Sequence, residues 1–205
     1  MELMEQIVNT DPKEGLHWIL ISTIDCPANT VRIYDSINAK CITGAVQRCI
    51  AKIMPIEGDE ITVQYMDCPQ QGNSNDCGPH ALANAIQLAH GVDPSTIIEY
   101  DVPLRDHLVE CFVNGNLSQV PFTPKKKKVP KCLHTDTINV YCSCKMPECE
   151  EYFECTKCSH WFHPICQGLK LTLDEINDAS WVVCLDCYKG KGPRYKLPYK
   201  KTKTH

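Results

Sequence analysis

The sequence predicts a mixed α+β protein of two modules, and three observations support that prediction. Strand-like and helix-like patterns both occur within the first 120 residues. Charge is divided unevenly, because residues 1–120 hold 16 acidic and 6 basic side chains whereas residues 121–205 hold 9 acidic and 15 basic ones. Nine of the 15 cysteines fall between positions 132 and 187, and the other six are scattered before them. This asymmetry indicates two parts with different functions.

The elements of the first module follow from apolar patterning. Three stretches rich in β-branched and aromatic residues are predicted as strands, namely 17–23, 31–36 and 60–66. Three stretches with apolar residues at helical spacing are predicted as helices, namely 43–54, 77–90 and 103–113. Gly91 suits the C′ position of the second helix. The third helix is expected to bury a face made of Leu104, Leu108, Cys111 and Phe112.

The cysteines are expected to be reduced. The chain does not start with a basic segment followed by an apolar run, and no stretch approaches the ~18 apolar residues of a membrane helix. We therefore expect a cytosolic or nuclear protein, in which cysteines serve as metal ligands, catalytic groups or buried side chains rather than as a disulfide framework.

Four residues of the first module form a candidate thiol-hydrolase site. Cys77 opens a predicted helix, whose N-terminus favours a thiolate. His17 begins one predicted strand and Asp35 ends the next, so a carboxylate can orient an imidazole that takes the thiol proton. Gln71 lies six residues before Cys77 in a Gly/Asn/Ser loop, where its amide could stabilise an oxyanion. Taken singly, each of these residues is more typical of an ordinary buried or loop position.

Together, "HW", "YDS", "QQ" and "DCG" in this order resemble the ubiquitin-like-protein (SUMO-type, adenain-related) cysteine proteases. The resemblance covers roughly residues 7–115 and implies a papain-like fold in which His17, Asp35, Gln71 and Cys77 are catalytic. Since 16 residues precede His17, it implies the C-terminal portion of such a domain, assigned to residues 1–120. The family places two apolar residues after "DCG", whereas this chain has Pro79 and His80; the latter would either repel a cationic His17 or face solvent.

The second module carries eight candidate zinc ligands in four close pairs. These are Cys142, Cys144, Cys155, Cys158, His163, Cys166, Cys184 and Cys187. One short turn can present two soft ligands to one metal, so four pairs suit two tetrahedral Zn²⁺ ions. The segment has too few apolar residues for a core of its own, and the metal would supply folding free energy instead.

The order of four Cys, one His and three Cys resembles the PHD finger over residues 139–188. The resemblance implies interleaved ligands, with Cys142, Cys144, His163 and Cys166 on one zinc and Cys155, Cys158, Cys184 and Cys187 on the other. It also implies binding of a histone tail. Tyr141, Tyr152 and Trp161 occupy positions similar to the aromatic cage of methyl-lysine readers, in which cation–π attraction holds the ligand. Alternatively, these rings only cover the metal core.

Two basic segments flank the finger. Residues 121–138 contain "KKKK" and are predicted to be a basic linker, and residues 189–205 a disordered basic tail. Each is expected to act as a nuclear localisation signal, to contact nucleic-acid phosphates without sequence preference, or to be a solubilising segment.

The whole combination resembles proteins encoded in mobile genetic elements. It predicts a nuclear, or alternatively cytoplasmic, peptidase acting on ubiquitin-like modifier conjugates and joined to a histone-reading finger. The alternative is a non-catalytic chromatin adaptor with a degenerate protease remnant.

Overall fold

A mixed sheet organises the first half of the chain. The computed structural model describes residues 4–11, 15, 17–127, 129–147 and 152–197. The chain divides into two units, Met1–Ile138 and Asn139–His205. The first unit contains β1 (Glu5–Asn9), β2 (Trp18–Ser22), β3 (Thr30–Tyr34), α1 (Gly44–Ile53), β4 (Glu60–Met66), α2 (Cys77–Ala89), β5 (Ile97–Tyr100), α3 (Leu104–Asn114), β6 (Phe122–Pro124) and most of β7 (Cys132–Tyr141). The predicted α+β class is confirmed.

The sheet has the strand order β1-β2-β3-β4-β7 in this unit. β2 pairs antiparallel with β1 and β3, whereas β3 and β4 run parallel. Parallel strands are usually covered on both faces, and β3 is accordingly buried at four of its five residues, whereas β4 alternates between buried and half-buried residues before its buried end. Helix α2 packs against β2 through a cluster that includes Leu20, Tyr34, Ala81 and Leu88. This packing brings the start of α2 to the strand that follows His17.

Helix α3 differs from its prediction at one residue. Leu104, Leu108 and Cys111 are buried, but Phe112 is 70% exposed. At 100° per residue, Phe112 lies about 80° around the helix axis from Leu104. The expectation that Phe112 joins the buried face is therefore wrong, since the buried stripe of α3 is too narrow to include it.

One strand and most of a second lie within residues 121–138, for which the sequence predicted a basic linker. β6 pairs with β5, and β7 lies beside β4. Lys125 Nζ donates to Asp67 Oδ2 at 3.0 Å and to the Ser95 carbonyl at 2.8 Å, and Lys131 Nζ lies 3.3 Å from the same carboxylate. Although burial opposes ionisation, these lysines hold the pKa of Asp67 below its usual value. Pairing with a distant acid therefore allows this lysine-rich segment to pack.

The second unit is built from short elements. They are the end of β7, β8 (Met146–Pro147), β9 (Phe153–Glu154), β10 (Trp161–Phe162), α4 (Leu173–Asn177), β11 (Trp181–Val182) and β12 (Tyr195–Lys196). A small apolar cluster around Phe153, Phe162 and Ile176 includes several cysteines. Thr172 and Glu175 form a capping box that begins α4.

The first part of the predicted disordered tail is also ordered. β12 pairs antiparallel with β11, and the Arg194 guanidinium donates to the carbonyls of Val183 and Gln167. These bonds place residues 189–197 within the second unit, while residues 198–205 lie outside the described part of the chain. Over the described ranges, no helix has the length and apolar character that crossing a bilayer requires.

Candidate functional site

The imidazole of His17 and the carboxylate of Asp35 form a hydrogen-bonded pair. Nε2 of His17 lies 2.7 Å from Oδ1 of Asp35, and both side chains are largely buried. The pair forms because His17 immediately precedes β2, Asp35 immediately follows β3, and these strands are antiparallel neighbours. With Nε2 facing Asp35, Nδ1 is the ring nitrogen that can take a proton from a thiol.

Asp35 is held rigidly by its own turn. Oδ1 also accepts a hydrogen bond from the Ile37 amide, and Oδ2 accepts one from the Ala39 amide, each at 3.0 Å. A carboxylate that accepts several hydrogen bonds is fixed in orientation. The arrangement therefore also fixes the orientation of the His17 imidazole.

Cys77 is the first residue of α2, and its side chain is 7% exposed. A Cβ atom added to Gly78 would lie 3.9 Å from Cδ1 of Trp18, so this turn of helix passes close to the residue that follows His17. Because Cys77 opens α2, its thiol lies at the positive end of the helix dipole.

Gln71 is fixed by hydrogen bonds at both ends of its amide. Ser36 Oγ donates to Gln71 Oε1 at 2.6 Å, the Gln71 backbone amide donates to the Ser36 carbonyl, and Gln71 Nε2 donates to the Asn73 carbonyl. Gln70 instead donates to the carbonyls of Asp35 and Cys68. Ser36, adjacent to Asp35 in "YDS", is a site residue that the sequence interpretation passed over.

The His80 side chain is half-buried at the start of α2. Its ring lies 6.0 Å from that of Tyr100, and burial lowers its pKa despite the opposing influence of Asp76. It is therefore neutral at pH 7. The structure thus supports neither repulsion of a cationic His17 by His80 nor full exposure of the ring to solvent.

The eight Cys and His residues of the second unit lie in two groups of four. One group is Cys142, Cys144, His163 and Cys166, and the other is Cys155, Cys158, Cys184 and Cys187. Within each group, the candidate ligand atoms all lie within 4.8 Å of one another. This is the interleaved arrangement that the resemblance implied.

The donor geometry fits a tetrahedral metal. A Zn–S bond of ~2.3 Å places two sulfurs about 3.8 Å apart in a tetrahedron. Sγ of Cys158 lies 3.9 Å from Sγ of Cys184, and Sγ of Cys144 lies 3.3 Å from Nδ1 of His163. Although burial opposes ionisation, backbone N–H groups lower the pKa of Cys142 to about 6, whereas burial and the Cys142 charge raise the pKa of Cys144 to about 12. A divalent cation would remove this conflict between neighbouring thiolates.

Two of the three cage candidates lie together. The rings of Tyr141 and Tyr152 meet edge to face with centroids 5.7 Å apart. Tyr152 also lies 4.1 Å from the His163 ring and donates its hydroxyl to the Met146 carbonyl, so it covers one ligand group. Trp161 stands on β10 with 45% of its surface exposed. Tyr152 thus has a covering role whether or not it also binds a ligand.

Comparison with known proteins gives two separate likenesses. Residues 6–107 match the model of the Ulp1 protease family, C-terminal catalytic domain. Chromatin remodeling protein EBS and chromatin remodeling protein SHL, both of Arabidopsis thaliana, are each 35% identical to the chain over 54 residues. That stretch is 25% of this chain and 22% or 23% of theirs, so the chain spans less than a quarter of the length of these relatives. No solved structure gives a significant match.

Proposed function

Because residues 6–107 are a Ulp1-family protease domain, we propose that the chain is a cysteine peptidase or isopeptidase acting on ubiquitin-like modifier conjugates. We propose further that residues 139–188 are a two-zinc PHD finger that binds a histone tail. The observation that carries the first proposal is the 2.7 Å pair between His17 and Asp35 beside the start of α2.

The proposed reaction is acyl transfer through sulfur. His17 Nδ1 takes the proton of Cys77, and the thiolate attacks the carbonyl carbon of a peptide or isopeptide bond. The oxyanion accepts hydrogen bonds from the free amides at the start of α2 and from Gln71, whose Nε2 turns from the Asn73 carbonyl. The protonated imidazole, stabilised by Asp35, gives its proton to the leaving amine. Water then attacks the thioester with His17 as base, which releases the acid and restores the thiol.

A ubiquitin-like probe with a C-terminal electrophile tests this reaction. We expect the purified chain to be labelled on Cys77, and we expect Cys77→Ser to abolish labelling. Cys26→Ser is the matched control, because Cys26 is equally buried at 8% and lies in the same unit. If the wild-type chain is labelled no more than Cys77→Ser, the adaptor alternative replaces the peptidase.

The zinc proposal is supported by the two ligand groups and their spacing. These residues would hold two Zn²⁺ ions, and the ions would supply folding free energy to a unit with a small apolar core. Elemental analysis is expected to give about two zinc per chain. A content of one or none, with the chain purified under reducing conditions, contradicts the assignment.

Histone binding is supported by the partial likeness to two chromatin remodeling proteins and by the Tyr141–Tyr152 pair. Titration with trimethylated and unmodified histone-tail peptides tests it. We expect tighter binding of the methylated peptide, weakened about tenfold by Trp161→Ala because a cation–π contact is lost. Ile165→Ala, at an 83% exposed apolar residue, serves as the control. Equal binding of both peptides would leave the rings as a cover for the metal.

We also propose a nuclear location, which is supported by the same likeness and by the exposed lysines Lys126 and Lys127. Imaging of a tagged chain with both lysines changed to alanine tests whether this segment directs import. The predicted phosphate contact is tested separately by salt-dependent binding of duplex DNA. Exclusion of the wild-type chain from the nucleus would favour the cytoplasmic alternative.

A further inference from the structure

A hydrogen-bond network connects α3 to the loop that carries the nucleophile. Arg105, on the first turn of α3, donates from Nε to Asp76 Oδ1 at 2.8 Å and from an Nη atom to the Asn75 carbonyl at 2.6 Å. Asn73 Nδ2 donates to the other oxygen of Asp76 at 2.6 Å. Asp76 immediately precedes Cys77, and the Asn73 carbonyl accepts the amide of Gln71. The network therefore reaches the residue before Cys77 and the side chain of Gln71, the proposed oxyanion donor.

We propose that Arg105 is a positioning residue that holds the loop of residues 71–77 in its reactive conformation and neutralises Asp76, the residue that immediately precedes Cys77. The inference rests on the proposed role of Cys77 as the nucleophile. Arg105 acts through Asp76 and the loop, and it contacts neither the sulfur nor the proposed substrate carbonyl.

The charge of Asp76 makes a neutralising cation necessary. A carboxylate adjacent to Cys77 opposes formation of a thiolate and counteracts the favourable dipole of α2. Hydrogen bonds from Asn73 and Arg105 hold the pKa of Asp76 below its usual value, so this carboxylate is charged at neutral pH. The planar guanidinium suits this task, because its fork can hold a carboxylate and a carbonyl together.

Because Arg105 is exposed, its effect on the reactivity of Cys77 can be measured apart from any effect on the stability of the fold. The Arg105 side chain is 61% exposed, and an exposed ion pair contributes little to folding. Arg105→Ala should therefore leave the thermal unfolding of the chain nearly unchanged while it alters the reactivity of Cys77. Removal of a merely structural ion pair would leave the reactivity of Cys77 unchanged.

The test measures alkylation of Cys77 in the full-length chain. Iodoacetamide is the probe, and mass spectrometry of the peptide that contains Cys77 follows the rate from pH 5 to pH 9. We expect Arg105→Ala to slow alkylation at pH 7 about three- to tenfold and to shift the profile to higher pH. Arg105→Lys should restore part of the rate, and Arg48→Ala, at an exposed arginine of α1, should change nothing.

Labelling by the ubiquitin-like probe gives the second readout. Arg105→Ala should lower its maximal rate about 10- to 100-fold, because a displaced loop misplaces the reacting atoms, with little change in probe affinity. Adding Asp76→Asn should restore alkylation by iodoacetamide but not labelling by the probe. If folded Arg105→Ala reacts with iodoacetamide at the wild-type rate across the pH range, the proposal is wrong. If the wild-type chain ignores the modifier probe but the iodoacetamide effect is present, only the peptidase function is lost.

Discussion

Replacing Asp35 is expected to damage both the stability of the first unit and its chemistry. The carboxylate accepts three hydrogen bonds, from His17 and from the Ile37 and Ala39 amides. A hydrogen bond to a charged group contributes about 1.5–3 kcal/mol, and the cost of burying the charge offsets part of the sum. We therefore expect Asp35→Ala to lower the free energy of unfolding by about 2–4 kcal/mol.

Asp35→Asn separates chemistry from stability. An asparagine amide has one acceptor atom and one donor atom. In either orientation it therefore leaves at least one of the three donors, His17 and the Ile37 and Ala39 amides, without an acceptor. With its nitrogen toward His17, the amide donates to Nε2 and fixes the imidazole proton on Nδ1, which then takes no proton from Cys77. By analogy with the same change in a Ser-His-Asp triad, the labelling rate should fall about 10³- to 10⁴-fold.

The assay combines urea unfolding with labelling by the modifier probe, and Asp25→Asn is the control. Asp25 lies on an exposed turn between β2 and β3, so its change should leave both measurements nearly unchanged. If Asp35→Asn is labelled at the wild-type rate, the His17–Asp35 pair does not contribute to the reaction.

Three further predictions concern pH, metal and core packing. Because burial lowers the pKa of His80, the unfolded chain binds a proton below about pH 6.5 that the folded chain does not, so the first unit should lose stability as pH falls below that value. His80→Leu should make the stability of the first unit less dependent on pH in this range. If hydrogen exchange shows the same loss of stability with falling pH in His80→Leu as in the wild-type chain, the reasoning is wrong. Chelation of the metal should increase amide exchange across residues 139–197 and leave the sheet of the first unit protected, whereas equal exchange in both units would refute a metal-dependent finger. Leu20→Ala should lower the free energy of unfolding by about 3–5 kcal/mol, because Leu20 is fully buried. Val109→Ala, at a 59% exposed site, should lower it by less than about 0.5 kcal/mol. Similar values for the two variants would show that Leu20 is not part of a packed core.

The sequence predicted best where a local pattern has a local cause. The helix that opens at Cys77 and the strands beside His17 and Asp35 follow from apolar periodicity, and the structure forms them within one or two residues of the expected ends. The close Cys pairs likewise required only short turns. The interleaving of those pairs came from resemblance, since spacing alone does not choose among pairings.

Predictions failed where a distant partner decides the outcome. Lys125 belongs to the fold because Asp67, 58 positions earlier, accepts its ammonium group. Arg194 orders the start of the predicted tail by reaching carbonyls of Gln167 and Val183. The contact between Arg105 and Asp76 joins residues 29 positions apart. Composition and periodicity carry no information on such pairs.

The interleaved ligands impose an order on how the finger forms during synthesis. The first ligand group is complete once Cys166 has left the ribosome, whereas the second waits for Cys187, 21 residues later. At ~5–20 residues per second, that interval lasts roughly 1–4 s. If both groups bind metal as proposed, a nascent chain would therefore complete first the site that contains His163.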